Sequence, residues 1–331
     1  MLSNEIMLVL SEKQLRSLID LDELICALEQ AHIQYSTGKA VMPVRLVVPL
    51  PQIRGRLTSM PGFLNEEKAL GMKVVTYFED NPKRSLPAIL ATIMLFSAET
   101  GKMIATMDGS YITAIRTACA SAVATKALAN PKTPTLGILG AGVQARAHIE
   151  ALGRVRKFST IKIYSPSGTS AAAIKSDVEK DAGVPIEVAR SAEEVVRNSD
   201  LLVTVTTAKN SIIKTDWLKP GVHINAVGSH RPDLREIDGA TLARAIVVVD
   251  SREAAMAECG DILLALKEQS VGEDVIHGEI GELLAGMKPG RSSASEITLY
   301  KSVGIAIQDV ATAQLVYRKA SERNVGTEVD I

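Results

Sequence analysis

The sequence predicts an α/β protein of two parts, one a doubly wound parallel sheet and the other a β-rich α+β domain. Three observations predict it. A short apolar run, a Gly-x-Gly-x-x-Ala turn and a helical pattern follow one another over residues 135–154. Strand and helix signals then alternate as far as Asp250. Before the turn, from Val41 to Asp108, strand-like segments dominate.

The turn is the organising element. Thr135 to Leu139 carries apolar Leu136, Ile138 and Leu139 and suits a buried strand. Gly140, Ala141, Gly142, Val143, Gln144 and Ala145 follow, and Arg146 to Arg154 then has helical spacing. The first glycine permits the turn, the second lets a pyrophosphate approach the backbone, and small Ala145 lets helix and strand pack closely. Free N–H groups at the helix start and the helix dipole both favour phosphate there. Strand, glycine turn and helix together read as a Rossmann dinucleotide site rather than a bare tight turn. The segments IKIYS (161–165), PIEVA (185–189), DLLVTVT (200–206), VHINAVG (222–228) and AIVVVD (245–250) read as strands. Helices are expected from Thr169 and near Glu193 to Arg197. Such alternation implies a parallel sheet with helices on both faces.

The flanking regions read differently. Ser11 to Gly38 is expected as one helical region with Ser11 as N-cap. VRLVVPL, RLTSM and GMKVVTYF read as strands, and residues 88–96 and 102–108 as a hairpin about the Glu99-Thr100-Gly101 turn. Tyr111 to Ala129 is a helix rich in small residues, suited to close helix or subunit packing. NPKTP, residues 130–134, cannot continue it and marks a boundary. The tail from Ile297 to Ser321 is expected to be helical and to return to the first domain, with Asn324 to Ile331 frayed. The expected division is 1–129 with 305–331, and 130–304.

Composition removes several classes of function. A net charge of -1 over 331 residues makes no electrostatic case for nucleic acid or a membrane surface. With 46% hydrophobic residues but only 3% aromatic, a large core is available and must be built from Ala, Val, Ile and Leu. Cys26, Cys119 and Cys259 form no paired motif, which fits a reducing cytoplasm. The five histidines show no metal-ligand spacing, so no metal is expected. No apolar run is long enough to span a membrane. Met1 to Leu10 contains Glu5 and lacks the basic start of a signal peptide.

The tip of the second strand bears on the choice of dinucleotide. An acid there would bind the adenine ribose 2′-hydroxyl and repel a 2′-phosphate. The tip is Ser165, Pro166, Ser167, Gly168 and Thr169, with no acid, and Lys162 and Lys175 are near in sequence. NADP(H) is therefore favoured, with NAD(H) as the alternative. A plain turn with an N-cap would use the same hydroxyls.

Three cations interrupt apolar or small-residue segments: Arg45 in MPVRLVV, Lys73 in GMKVVTYF and Arg116 in YITAIRTACAS. Such charges are costly unless paired or placed in a cleft. Together they would suit a small carboxylate, with bidentate Arg geometry and a Lys point charge or proton. Singly, each reads as a solvated strand-edge charge or a salt bridge.

These segments, with SMPGF at 59–63, GAGVQA, INAVGSHRPDLREID at 224–238 and KSVGIAIQD at 301–309, resemble the ornithine cyclodeaminase/mu-crystallin family over residues 40–315. The resemblance implies a homodimer whose substrate-binding and dimerisation domain is built from both chain ends around the Rossmann domain. It implies that Arg45, Lys73 and Arg116 hold a substrate carboxylate with Lys73 near the reacting carbon, and that Met60 and Gly62 line the site. Thr206, Thr207, Val227 and Ser302 would lie along the cofactor.

One departure stands out. Where members that cyclise ornithine carry an aspartate that takes the side-chain amine, this chain has His230, in Val227-Gly228-Ser229-His230. An imidazole cannot pair with an ammonium as a carboxylate does, but its pKa suits proton transfer near neutrality. The expected activity is reduction of a small 2-imino acid to an L-amino acid, reversible as an amino-acid dehydrogenase, with Lys73 and His230 as catalytic groups. Ornithine cyclodeamination and a non-catalytic small-ligand binder are the alternatives.

Overall fold

The chain begins with strand β1 (Met7–Leu10), helices α1 (Glu12–Leu18) and α2 (Leu21–Ser36), and then strands β2 (Ala40–Val41), β3 (Leu46–Leu50), β4 (Gly55–Leu64), β5 (Ala69–Phe78), β6 (Ile89–Ser97) and β7 (Met103–Asp108). This is a computed structural model that describes residues 6–330. Of the N-terminal segment read above as lacking a signal-peptide pattern, Met1 to Glu5 lie outside the described residues, as does Ile331. The single helical region expected from Ser11 to Gly38 is two helices. Asp20 interrupts it because its carboxylate accepts from the Asp22 and Glu23 N–H groups and caps a new helix. The strand expected from Val44 starts only at Leu46, which leaves Arg45 in the preceding coil.

Helix α3 (Gly109–Leu128) leads into the alternating region: β8 (Thr135–Leu139), α4 (Val143–Val155), β9 (Thr160–Tyr164), α5 (Thr169–Ala182), β10 (Ile186–Val188), α6 (Ala192–Asn198), β11 (Leu201–Thr204) and β12 (His223–Ala226). Next come α7 (Gly239–Arg244), β13 (Ala245–Val249), α8 (Arg252–Glu258), α9 (Gly260–Lys267), β14 (Ile276–Glu279), α10 (Ile280–Leu284) and β15 (Ile297–Lys301). The eight strands order as β10-β9-β8-β11-β12-β15-β13-β14, and every pairing is parallel. The order reverses between β8 and β11, the switch point at which a dinucleotide crosses a doubly wound sheet.

The tail corrects the sequence reading twice. Ile297 to Lys301 is strand, not helix: all five residues are buried between β12 and β13. A strand buried on both faces has no alternation to betray it. Only α11 (Ala306–Arg323) is helical. The expected frayed end holds β16 (Thr327–Val329), which pairs antiparallel with β1.

The chain divides into two units, residues up to Arg116 with those from Ile305 onward, and Thr117–Gly304. The division thus falls inside α3 and not at Asn130. The second half of α3 bonds within the second unit, with Ser121 Oγ 2.9 Å from His148 Nε2 and Asn225 Nδ2 donating to Thr125 Oγ1 at 3.0 Å. The first unit is a mixed sheet ordered β16-β1-β7-β6-β5-β4-β2, with β3 also on β4. Its core gathers Leu10, Leu15, Ile93, Leu95, Ile112 and Val316.

Candidate active site

In the first unit, β4 and β5 pair so that Met60 lies opposite Lys73 and Gly62 opposite Gly71. Alternation puts all four on the buried face. Helix α11 crosses that face closely because the glycines offer no side chain. A Cβ on Gly62 would stand 3.3 Å from Ala306 Cβ, and one on Gly71 3.3 Å from Val310 Cγ2. The close approach delivers the first turn of α11, with Gln308 and Asp309, to the sheet.

There Lys73 Nζ donates to Asp309 Oδ1 at 2.9 Å and lies 2.8 Å from Oδ2. Arg116 Nε donates to the same Oδ1 at 3.0 Å, and its Nη1 donates to Gln308 Oε1. Gln308 Nε2 lies 3.2 Å from His32 Nε2. Lys73, Arg116 and Asp309 are 2%, 4% and 0% exposed, so this is an interior cluster and not a surface ion pair. Burial, then the Arg116 charge, pull the Lys73 ammonium down to about 7; Asp309 opposes them and Arg45 adds to the lowering. Burial, with Arg116 second, pulls His32 down to about 3, so its ring is neutral. Lys73 and Arg116 are therefore paired through one acid, which is the salt-bridge reading for these two cations. Arg45 is half-buried and close enough for Lys73 to feel its charge.

The sequence reading assigns no role to Asp309, Gln308 or His32. The available signal was an acid inside a helix whose residues from Ala306 to Ala313 are all buried. Such a carboxylate must have a partner.

In the second unit, Gly140 has φ +113°, and a Cβ there would stand 2.6 Å from Val205 O, so the position requires glycine. Gly142 opens on free space and caps α4 with no side-chain bond. The first turn of α4 carries no acid, Val143 is 71% exposed and Ala145 is buried. A thirteen-residue helix whose start has no side-chain cap and no acid, behind a glycine with open space over it, fits a pyrophosphate carried by a dinucleotide.

At the β9 tip, Ser165 Oγ accepts from Ala171 N at 3.3 Å and Thr169 Oγ1 donates to Ser167 Oγ at 3.0 Å. The two lysines near in sequence are engaged, Lys162 with Glu187 and Lys175 with Glu179 at 3.4 Å. Thr206 and Thr207 follow β11, Val227 follows β12 and Ser302 follows β15, all at the carboxyl edge of the sheet. His230 lies in the loop after β12, half-buried, with Nδ1 3.0 Å from Gly228 O. It belongs to the second unit and Lys73 to the first. Among the described residues no group of three or more His, Cys, Asp or Glu side chains is arranged to hold a metal, and no helix is long and apolar enough to cross a membrane.

Comparison with known proteins gives a consistent result. A family model described as the ornithine cyclodeaminase/mu-crystallin family matches residues 5–324. Ketimine reductase mu-crystallin of Mus musculus is 40% identical over 297 residues, covering 89% of this chain and 91% of that protein. Among solved structures, Delta(1)-pyrroline-2-carboxylate reductase of Thermococcus litoralis, in complex with NADH and L-proline, superposes with a TM-score of 0.95 at 41% identity, covering 98% of this chain and 100% of the other. An archaeal alanine dehydrogenase dimer with bound NAD gives 0.92 at 38% identity, covering 98% and 99%.

Proposed function

Since the chain belongs to the ornithine cyclodeaminase/mu-crystallin family, we propose that it is an NAD(P)H-dependent imine reductase that converts a small 2-imino acid to the L-amino acid. The same site run backwards is an amino-acid dehydrogenase. The observation that carries this reading is the buried Lys73 ammonium, pulled down to about 7 between Asp309 and Arg116. A lysine so poised can hold or release a proton at neutral pH, which a solvated lysine cannot do efficiently.

The roles follow from the chemistry of each group. Arg45 and Arg116 anchor the substrate carboxylate, and the planar fork of a guanidinium fixes its orientation. Lys73 holds the proton that keeps the imine nitrogen cationic and its carbon electrophilic. Met60 and Gly62, on the Lys73 face, shape the space for a small side chain. The reduced nicotinamide supplies the hydride when bound. Its carrier is held by Gly140, Ala141, Gly142, Val143 and Gln144 at the start of α4, and by Thr206, Thr207, Val227 and Ser302 along the strand ends. Fixing both partners removes orientational entropy worth ~7–11 kcal/mol of the barrier. His230 assists proton transfer; its contact with Gly228 O orients the ring.

Ser165, Ser167 and Thr169, with no acid among residues 165–169, accept a 2′-phosphate without repulsion, so NADP(H) is preferred to NAD(H). A homodimer forms through the sheet face away from Lys73, on which Val41, Leu46 and Val48 are 66%, 65% and 42% exposed. An apolar area of this kind marks an interface.

The test is a panel of 2-oxo acids with ammonia or methylamine, together with cyclic imines, each with NADPH and NADH. Oxidation of reduced nicotinamide with formation of the L-amino acid is expected. No turnover across the panel by a protein that binds the dinucleotide would remove the proposal. Proline and ammonia from L-ornithine without net change in nicotinamide would instead establish cyclodeamination. Dinucleotide-dependent ligand binding without either reaction would leave a non-catalytic binder.

A further inference from the structure

A second buried charge cluster lies wholly inside the second unit and is used by none of the steps above. Glu236, Asp261 and Lys301 are all 0% exposed. Lys301, the last residue of β15, has Nζ 3.0 Å from Asp261 Oδ2. Asp261 Oδ1 accepts from the backbone N–H groups of Glu236 at 2.7 Å and Ile237 at 2.9 Å. The Glu236 carboxylate is thereby aimed at two other strand ends. Its Oε1 accepts from Thr206 N at 2.6 Å and Thr206 Oγ1 at 2.7 Å. Its Oε2 accepts from Gly228 N at 2.8 Å and Thr204 Oγ1 at 2.7 Å.

Each carboxylate oxygen thus takes one backbone N–H and one threonine hydroxyl. Only a carboxylate meets this demand. An amide, whichever way it turns, sets an NH₂ against a backbone N–H. The packing around it is equally restrictive, since a Cβ on Gly228 would stand 2.1 Å from Thr206 O and 2.5 Å from Glu236 Oε1. Burial, together with the Asp261 charge, raises the Glu236 carboxyl, while Lys301 and the threonine hydroxyls oppose the rise. Four donors converging on two oxygens hold the ionised form, and a network satisfied this fully is rigid.

We propose that Glu236 is the positioning residue of the dinucleotide site, setting the separation of the loops after β11 and β12, with Asp261 and Lys301 holding it in register with β15. It touches neither substrate nor the reacting carbon, and acts through Thr206 and Gly228. The inference rests on the dinucleotide reading above. It adds that cofactor affinity is controlled by a carboxylate buried within the sheet edge.

The test uses full-length Glu236→Gln and the near-isosteric Thr204→Val, which removes a single donor. Dissociation constants for NADPH and NADH are measured by fluorescence, KM for the imino acid by turnover, and folding by circular dichroism. Glu236→Gln is expected to weaken reduced dinucleotide by about tenfold or more and Thr204→Val by about threefold, with the imino-acid KM within about twofold of wild type. Equal weakening of imino acid and dinucleotide would show general loosening and overturn the proposal, as would unchanged dinucleotide affinity in folded Glu236→Gln. If Glu236→Gln does not fold, Thr204→Val decides, and an unchanged dissociation constant overturns the proposal. Wild-type protein that binds neither dinucleotide sinks the functional reading itself, whereas wild-type binding that both variants retain sinks this inference alone.

Discussion

The Lys73 ammonium sits 2.9 Å from a carboxylate oxygen of Asp309, 236 positions further along the chain, and both side chains are buried. Asp309 also holds Arg116 through the same oxygen. One acid therefore fixes two of the three cations proposed to receive a substrate carboxylate. The proton affinity of Lys73 is a compromise among burial, Arg116 and Asp309.

Replacing Lys73 by Ala is expected to lower kcat by about 10²–10⁴-fold, the usual contribution of a positioned acid or base. Dinucleotide affinity should not move, because the proposed cofactor contacts all lie in the second unit. Steady-state turnover beside fluorescence titration of NADPH checks both, and unchanged kcat would take Lys73 out of the mechanism.

A pH profile tests the compromise. If protonated Lys73 is the acid, reductive kcat/KM of the free enzyme should fall as pH rises through about 7, and the reverse oxidation should rise over the same range. Asp309 opposes the lowering, so Asp309→Asn should move this limb to lower pH. A limb that stays in place in that variant would assign the titration to another group.

Buried histidines set the acid limit of stability. His32, His148 and His223 are lowered to about 3, 4 and 3, each chiefly by burial. Their unfolded-state value is about 6.5. The unfolded chain thus binds more protons between these limits, so stability is complete above about pH 6.5 and is lost as pH falls toward 3–4. Tm measured from pH 7 to 4 should drop steadily, and His148→Gln should flatten the slope.

Gly71→Ala probes the seat of α11. Its Cβ would stand 2.9 Å from Leu95 Cδ2 and from Met94 O, so sheet or helix must shift. A loss of ~1–3 kcal/mol is expected, read as a lower urea midpoint, together with weaker substrate binding as Asp309 retreats from Lys73. A variant as stable and active as wild type would show that the helix has slack at this point.

Association through the exposed sheet face can be broken by charge. Leu46 in β3 is 65% exposed, with Val48 on the same face. Leu46→Glu should shift the protein from dimer to monomer in light scattering. An unchanged mass would move the interface elsewhere.

Much of this was legible from residues alone. The glycine turn, the parallel alternation and the hairpin at 88–108 follow from local patterns and are present. Lys73 and Arg116 stood out because a charge inside an apolar segment is costly. Asp309 did not, although KSVGIAIQD contains it, because its partners lie 236 and 193 positions away and no local spacing encodes such a meeting. Ile297 to Lys301 was misread because burial on both faces erases the period that separates strand from helix. The end of the chain was misread because three mostly exposed residues become a strand only by pairing with β1.

That last pairing has a consequence for how the molecule is made. The first unit combines residues before Arg116 with residues after Ile305, while the second is one uninterrupted stretch between them. During vectorial synthesis the middle stretch has all its strands once Lys301 has emerged, whereas the opening hundred residues still lack α11 and β16. Until then Lys73 has no Asp309 to meet, and the β4–β5 face stays bare to the surrounding water. The nascent protein thus holds its hydrophobic sheet uncovered while the stretch between Asp108 and Ala306 is made, and α11 and β16 then close the unit that β1 to β7 began.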